Sequence, residues 1–544
     1  MATIARGQNF KPEVLNIVGS SSFGRYPKIS VESTFNMFES DNFMVPYAGY
    51  KIAINYKQFE TPTGAIPKKG RACFNSIKFD KIVLVLDTYV YLVIIDFDQT
   101  LQKPVYTSIQ YIGSILNATN VVYIAENNAP QIMISDGEQL YYYSAANPTL
   151  QVVSGINFVP GYLTSHENHF LCSTTSWDSS DGLVSNSIQV SSLNSVSFPQ
   201  TQPYAILIST KPDVAKAVVR FPSKGNMIFA MGTTVTESWF LTGSQLAIYQ
   251  RNNQFNIDYG CLSPATVAYS DEFVVWLAAS ENSGPVIMFS DGGMPQKITT
   301  DGIEYLLSNF QAPQDSEAFI YRQDGHLFYH INFYTDNYSL FYDFNTRKFY
   351  NACDQNYNYF IAGSLCYYRN QYYFTSPNTA NLYAFDTIFY NYQDTLPNGV
   401  VVNEEIPRMR TCRNIRLPSQ EYFIINDVGF TIESGETNDV QQPTGEQILI
   451  TQSGNQLITQ SGALLITQQP GYLLTTPAVD LSISTDGGAS FGNEWRYNLP
   501  AIGQRKNRLM WWQIGMANDF VAKFRFWGLN ARFVATDGIA NIRQ

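Results

Sequence analysis

Between about residues 50 and 400, apolar and polar positions follow one another in short bursts separated by turn residues. The clearest stretch runs from Ala318 to Tyr350. Ala318 to Arg322 is apolar and aromatic, and Gln323-Asp324-Gly325 supplies a turn with the Asp-Gly signal of a tight hairpin. His326 to Phe333 reads as a second strand and Thr335 to Tyr338 as a second turn. Ser339 to Phe344 is a third strand, Asn345 to Arg347 turns again, and Lys348 begins a fourth. The same strand–turn–strand rhythm marks Lys81 to Asp96, Gln131 to Ser144, Asn226 to Phe240, Glu272 to Phe289 and Asn370 to Phe385. Helical periodicity is nearly absent, and Asp301 to Asn309 is the best short helix.

Three or four short strands in about thirty residues is the rhythm of one propeller blade. Recurring over residues 46–400, it predicts an all-β chain with a β-propeller-like body, although no strict sequence repeat fixes the blade count. Residues 1–45 read as an N-terminal arm carrying one alternating strand, Ser30 to Ser40. Residues 401–544 read as a further C-terminal β domain. Within it Ile-Thr-Gln recurs at Ile450, Ile458 and Ile466, a period of eight. That unit, about 444–469, predicts a projecting β-repeat insertion that buries its Ile/Leu face only by stacking. It reads equally as a surface insertion held by its neighbours and as a projecting tip.

Composition sharpens this picture at two points. Charged residues are only 15% and aromatics reach 15%, a balance that suits large buried interfaces and equally a Tyr/Asn/Gln-rich monomer surface. The net charge of −11 argues against a protein that grips nucleic acid through its phosphates. Arg496, Arg505, Lys506, Arg508, Lys523, Arg525 and Arg532 form a modest basic cluster that reads as a solvated face.

Chemistry-bearing patterns are sparse. Cys73, Cys172, Cys261, Cys353, Cys366 and Cys412 show no C-x-x-C spacing and read as buried free thiols. His166 and His169 sit at a turn between strands, and His326 and His330 share a strand face; packing and hydrogen bonding are the expected roles. No G-x-S-x-G, P-loop or H-E-x-x-H occurs, so no catalytic residue, cofactor or metal site is predicted. Ser484-x-Asp486-x-Gly488-x-x-Phe491 matches the Asp-box. Its Ser and Asp bond a turn backbone, its Gly permits the bend, and its aromatic plugs the hairpin. No apolar run reaches transmembrane length, and the first residues lack a signal-peptide core, so synthesis in a cytoplasm is expected.

Several motifs, taken together, resemble the tail-hub family of short-tailed phages, also called nozzle or packaged-DNA-stabilisation proteins. They are Asn36-Met37-Phe38-Glu39 with Pro46 and Gly49; Gly232 with Thr236-Glu237-Ser238-Trp239; Tyr259-Gly260-Cys261; and Trp276-Leu277. Further on come Gly293, Pro295, Lys297-Ile298-Thr299-Thr300 and Ile303-Glu304. Gly325-His326-x-Phe328-Tyr329 with Leu340-x-Tyr342-Asp343 is the most specific piece. The Asp-box, Arg508-x-x-Trp511 and Ile514-Gly515 close the series. The family's tryptophan after the Tyr-Asp strand is Phe349 here, and the octapeptide repeat is no part of its pattern.

The resemblance implies a structural virion protein of the tail. Six copies would ring the channel below the portal and its head-to-tail adaptor, beside other tail components such as a fibre, spike or needle. The ring would retain packaged DNA and conduct it at ejection without sequence specificity, with the distal tip facing the host envelope. An acidic wall would let phosphates pass without sticking. Two rivals stand beside it: a virion propeller that binds a carbohydrate receptor, and a sialidase-like glycoside hydrolase. The second normally carries several Asp-boxes and an arginine cluster with a Tyr nucleophile, and only one box is present.

Overall fold

Asp324 and Gly325 both adopt left-handed backbone, with φ of 49° and 83°, the conformation a two-residue hairpin loop needs to match the twist of its strands. They join Ser316–Gln323 to His326–Phe333, which pairs in turn with Tyr338–Asp343 and then Lys348–Ala352. In this computed structural model the described residues are 10–23, 31–98, 103–177, 185–199, 201–221, 224–244, 247–387, 389–396, 399–434, 447–448, 466–467, 477–499, 506–529 and 531–543.

Six such four-stranded antiparallel units follow one another along the chain, over residues 70–114, 123–152, 158–207, 217–257, 268–297 and 316–352. We number them blades one to six. A seventh is composite: Leu365–Tyr368, Gln371–Thr375 and Leu382–Asp386 take their outer strand, Gly49–Ile54, from near the other end of the chain. The propeller is therefore closed by its own N-terminal segment. The short helix Asp301–Ser308 leads from blade five to blade six and buries Ile303 and Leu307.

The blades are held face to face, and this explains the unbroken apolar runs. In Lys81–Leu86, Ile82, Leu84 and Leu86 enter the core shared with blade seven, while Val83 and Val85 enter the core shared with blade two. A strand buried on both faces has no polar side to alternate with. Val274–Ala278 repeats the arrangement, with Trp276 towards blade four and Val275 and Leu277 towards blade six. Blades six and seven meet through aromatics, among them Tyr47, Tyr50, Phe328, Phe341, Phe360, Phe374 and Phe385. Gly260 sits where blades four and five join; a Cβ there would lie 2.2 Å from the Thr233 carbonyl carbon.

Blade six does not end at Lys348–Ala352. Its sheet continues through Ser33–Phe35, Arg408–Thr411, Val521–Trp527, Ala478–Ser484 and Trp495–Asn498. A second sheet packs over this extension. It runs Lys11–Leu15, Gly538–Arg543, Phe423–Ser434, Phe533–Ala535, Phe43–Pro46 and Met37–Ser40, with Asn507–Ala517 also paired to Phe423–Ser434. The core between them includes Phe430, Trp511, Phe524 and Phe533.

The segment expected as an arm thus supplies, where described, four strands to these two sheets. The expected single strand Ser30 to Ser40 is instead two, Ser33–Phe35 and Met37–Ser40, because Asn36 between them takes φ 53° and moves the chain from one sheet to the other. The N-terminal segment is fastened by Arg410, which is fully buried. Its guanidinium donates to the carbonyls of Asn16, Ile17 and Ser20 and to Thr34 Oγ1, and pairs with Glu32. The octapeptide stretch 444–469 lies outside the described residues, except that Gln447–Ile448 pairs antiparallel with Ile466–Thr467. Among the described residues no helix is long and apolar enough to cross a membrane.

Candidate interaction surface and enclosed sites

The four histidines are used inside the fold. His166 and His169 end and begin adjacent strands and pair across the turn. His166 Nε2 donates to the Gly225 carbonyl (2.8 Å) and Nδ1 accepts from the Tyr249 hydroxyl (2.9 Å). His169 Nδ1 donates to the Ser191 carbonyl at 2.7 Å. His326 bridges Asp343 and Ser40, at 2.9 and 3.0 Å. His330 is fully buried and stacked on Phe319, with Tyr47 on Nδ1 (3.2 Å) and Asn332 Oδ1 on Nε2 (3.1 Å). Burial drives the His330 imidazolium pKa down to about 3, so the ring is neutral in the folded chain. Among the described residues no group of three His, Cys, Asp or Glu side chains is placed to hold a metal ion.

The Asp-box residues cluster at the hairpin that follows Ala478–Ser484. Ser484 Oγ donates to Asp486 (2.6 Å) and accepts from the Gly488 N–H (2.8 Å), while Ser490 donates to Asp486 through both its N–H and its hydroxyl. The hydrogen bonds from Ser484 and Ser490 hold the Asp486 carboxyl well below the usual carboxylate range. Phe491 is half-buried, with the Lys523 ammonium 4.3 Å from its ring centre. All these partners belong to the turn and the adjoining strand, so the cluster fixes a bend.

A cavity of about 340 Å3 is lined by blades two and three and by the segments that lead into blades two, four and five. Tyr123 and Tyr162 form its aromatic wall, their rings 4.8 Å apart, and Lys216 also lines it. Burial raises both phenol pKa values, and the Tyr123 phenol also feels Cys261 of the segment entering blade five and Glu317 of blade six. Most glycoside hydrolases place a pair of carboxyl groups across the scissile bond, sialidases with their Tyr nucleophile being an exception. The described lining of this cavity holds no carboxyl group.

The feature that the sequence reading missed is an apolar outer face on the seven-stranded sheet. Phe423, Ile425, Phe430, Trp511 and Ile542 point inward to the core. On the opposite face the same strands present Ile424, Trp512, Met516 and Ile539, joined by Val14 and Tyr422. Trp512 is 62% exposed, Met516 59% and Val14 63%. Ile424 pairs with Met516, and Val14 with Ile539, so these side chains stand side by side. Exposed Arg508 and the half-buried Arg543, which pairs with Ile424, stand on the same face. A sheet with one solvated face normally carries polar groups there; contiguous exposed apolar groups mark a surface that another molecule covers. The signal was present in the sequence as Tyr422-Phe423-Ile424-Ile425 and Met510-Trp511-Trp512, apolar at successive rather than alternate positions.

A family profile described as "Bacteriophage P22 Gp10, beta-propeller" matches residues 98–387. The chain belongs to this family. It is a structural β-propeller protein of a phage, and a component of the virion. The matched span opens at the end of the third strand of blade one and closes just after the last consecutive strand of blade seven, so the membership rests on the propeller itself. No curated protein matches the chain in sequence. Among solved structures it is similar to the N-terminal domain of Nup159 (TM-score 0.38, 9% identity, 68% of this chain and 99% of that one). It is also similar to an ancestral GH74 enzyme (TM-score 0.37, 12% identity, 63% of this chain and 50% of that one). A third is a S. cerevisiae dbp5 complex with nup159 and gle1 (TM-score 0.38, 8% identity, 64% and 96%).

Proposed function

We propose that this phage-stabilisation protein is a non-enzymatic tail hub. Six copies form a ring around the DNA channel, joined to the head-to-tail adaptor, and the ring retains packaged DNA and conducts it at ejection. The observation that carries the assembly is the apolar outer face around Trp512 and Met516. Aromatic and Met side chains at its centre with charges at its margin have the make-up of a subunit interface, and its occupant in this reading is a second copy of the chain. Rings close when one patch meets a different patch on the next copy through a rotation that returns to its start. The net charge of −11 suits a conduit past which phosphates slide.

Light scattering and negative-stain microscopy of the purified chain, alone and with the adaptor complex, test this reading. Rings with an axial hole are expected in at least one condition, and Trp512→Lys with Met516→Glu abolishes them while the monomer's melting curve stays unchanged. Monomers in both conditions, or rings that survive the double substitution, overturn it.

A further inference from the structure

Blade one and blade seven meet at the seam where the propeller closes, and two thiols face each other across it. Cys73 lies on Gly70–Ser76 and Cys366 on Leu365–Tyr368, the inner strands of their blades. Their Sγ atoms are 2.8 Å apart and both residues are buried. The neighbouring backbone fixes this meeting. Ser364 Oγ accepts from the Cys73 N–H (3.0 Å) and donates to the Cys73 carbonyl (3.3 Å), and Asn75 donates to the Tyr367 carbonyl at 2.7 Å. The Gly70 N–H reaches the Ser376 and Thr379 carbonyls. Cys172, Cys261, Cys353 and Cys412 have no second thiol as a partner, although they are buried as deeply.

We propose that Cys73 and Cys366 form a disulfide that locks the propeller shut once the protein leaves the reducing cytoplasm. Contracting the contact to a bond of about 2.0 Å needs a movement of under ~1 Å at the sulfur atoms. The oxidant is a low-molecular-weight disulfide. One cysteine thiolate attacks it and expels one small thiolate; the second cysteine then attacks the mixed disulfide and expels the other. Two electrons pass to the small disulfide, and the two cysteine protons end on the two small thiols released. Cytosolic thiol pools keep the pair reduced during synthesis and folding, and surroundings outside the cell oxidise it. Burial, with the Cys366 thiol beside it, pushes the Cys73 pKa well above its ordinary value. The thiolate is therefore scarce until the seam breathes, and the bond is made slowly and is hard to unmake. The consequence is topological. The bond would tie the first blade to the last, across a loop on the order of 300 residues, where a cross-link constrains the unfolded chain most. This inference is independent of ring assembly.

The test is to incubate the purified full chain with oxidised glutathione, then to count thiols in denaturant and map non-reduced peptides. The six cysteines are expected to fall to four free thiols, with one linked peptide pair containing Cys73 and Cys366. The melting midpoint is expected to rise by about 5 °C, reversibly with dithiothreitol, and not to rise in Cys73→Ser or Cys366→Ser chains. Six persistent thiols after prolonged incubation just below the melting range overturn the proposal. So do glutathione adducts in place of the linked pair, or a linked pair built from other cysteines. Should the serine variants fail to fold, the peptide map of the unaltered chain decides alone.

Discussion

Asn36 and Cys353 clasp each other through a two-way hydrogen-bond pair: the Cys353 N–H donates to Asn36 Oδ1 at 3.0 Å, and Asn36 Nδ2 donates back to the Cys353 carbonyl at 3.1 Å. Asn36 Nδ2 also reaches the Pro407 carbonyl at 2.8 Å. Three segments remote in sequence are thereby joined at one fully buried amide, beside the place where the N-terminal chain leaves blade six's sheet. Asn36 also holds φ 53°, which Asn tolerates better than most residues. Asn36→Ala should cost about 2–4 kcal/mol in urea unfolding, from buried partners left unsatisfied and from backbone strain. Asn36→Gly removes the strain and keeps the loss of hydrogen bonds, so it should lie between Ala and the unaltered chain.

His330 gives the fold a pH dependence of definite sign. Its folded pKa, lowered to about 3, lies below the unfolded value of about 6.5. Its contribution is therefore present above about pH 6.5 and lost as pH falls towards 3. Between pH 7 and pH 4.5 this group alone should remove on the order of 2–3 kcal/mol. His330→Gln should flatten that loss in denaturant titrations at the two pH values. An unchanged slope would mean that the imidazole is protonated inside the aromatic core.

Glu317 works in the opposite direction. Burial first, and then the charge of Asp315, raises its pKa, against the hydrogen bond that Tyr334 donates to it at 2.8 Å. An acid raised in the folded state gives stability that is full below its unfolded pKa, and that is lost as pH rises through the folded value. Glu317→Gln keeps an acceptor for Tyr334 and removes the titration. The variant should gain stability relative to the unaltered chain as pH goes from 4 to 7, read as a widening gap between the two melting midpoints.

The blades were legible in the sequence because turns and strands obey local rules. Asp324-Gly325 takes the left-handed pair that its dipeptide signals, and the helix Asp301–Ser308 stands where the short helical pattern lies. What local pattern cannot convey is partnership between distant segments. Nothing near Gly49–Ile54 says that it completes the blade begun at Leu365, and nothing near Lys11–Leu15 says that it borders Gly538–Arg543. The same holds for Cys73 and Cys366, each an ordinary buried thiol until the ring closes and brings them together. The outer face at Trp512 was hidden for another reason. Apolar residues at successive positions signal burial on both sides of a strand, and the sequence does not say that here the second side is open to solvent.

The flanks of the octapeptide stretch make its removal a sharp test of how the C-terminal domain is built. Phe423–Ser434 leads into it and Ala478–Ser484 leads out. Ser434 pairs with Phe533. Gly528, whose Cβ would lie 3.1 Å from the Phe533 ring and 3.2 Å from Pro477, stands between the two ends, so they lie close together in one domain core. Loop length affects closure entropy only weakly, and a short linker can span the gap. Replacing residues 435–476 with a flexible Gly/Ser linker should therefore leave the melting midpoint of the chain within about 2 °C. If Thr444 to Gln469 serve as a projecting tip, the shortened chain also assembles into rings. A drop of ten degrees or more would make the repeat part of the domain's core. Intact melting with lost rings would place it at a contact between subunits.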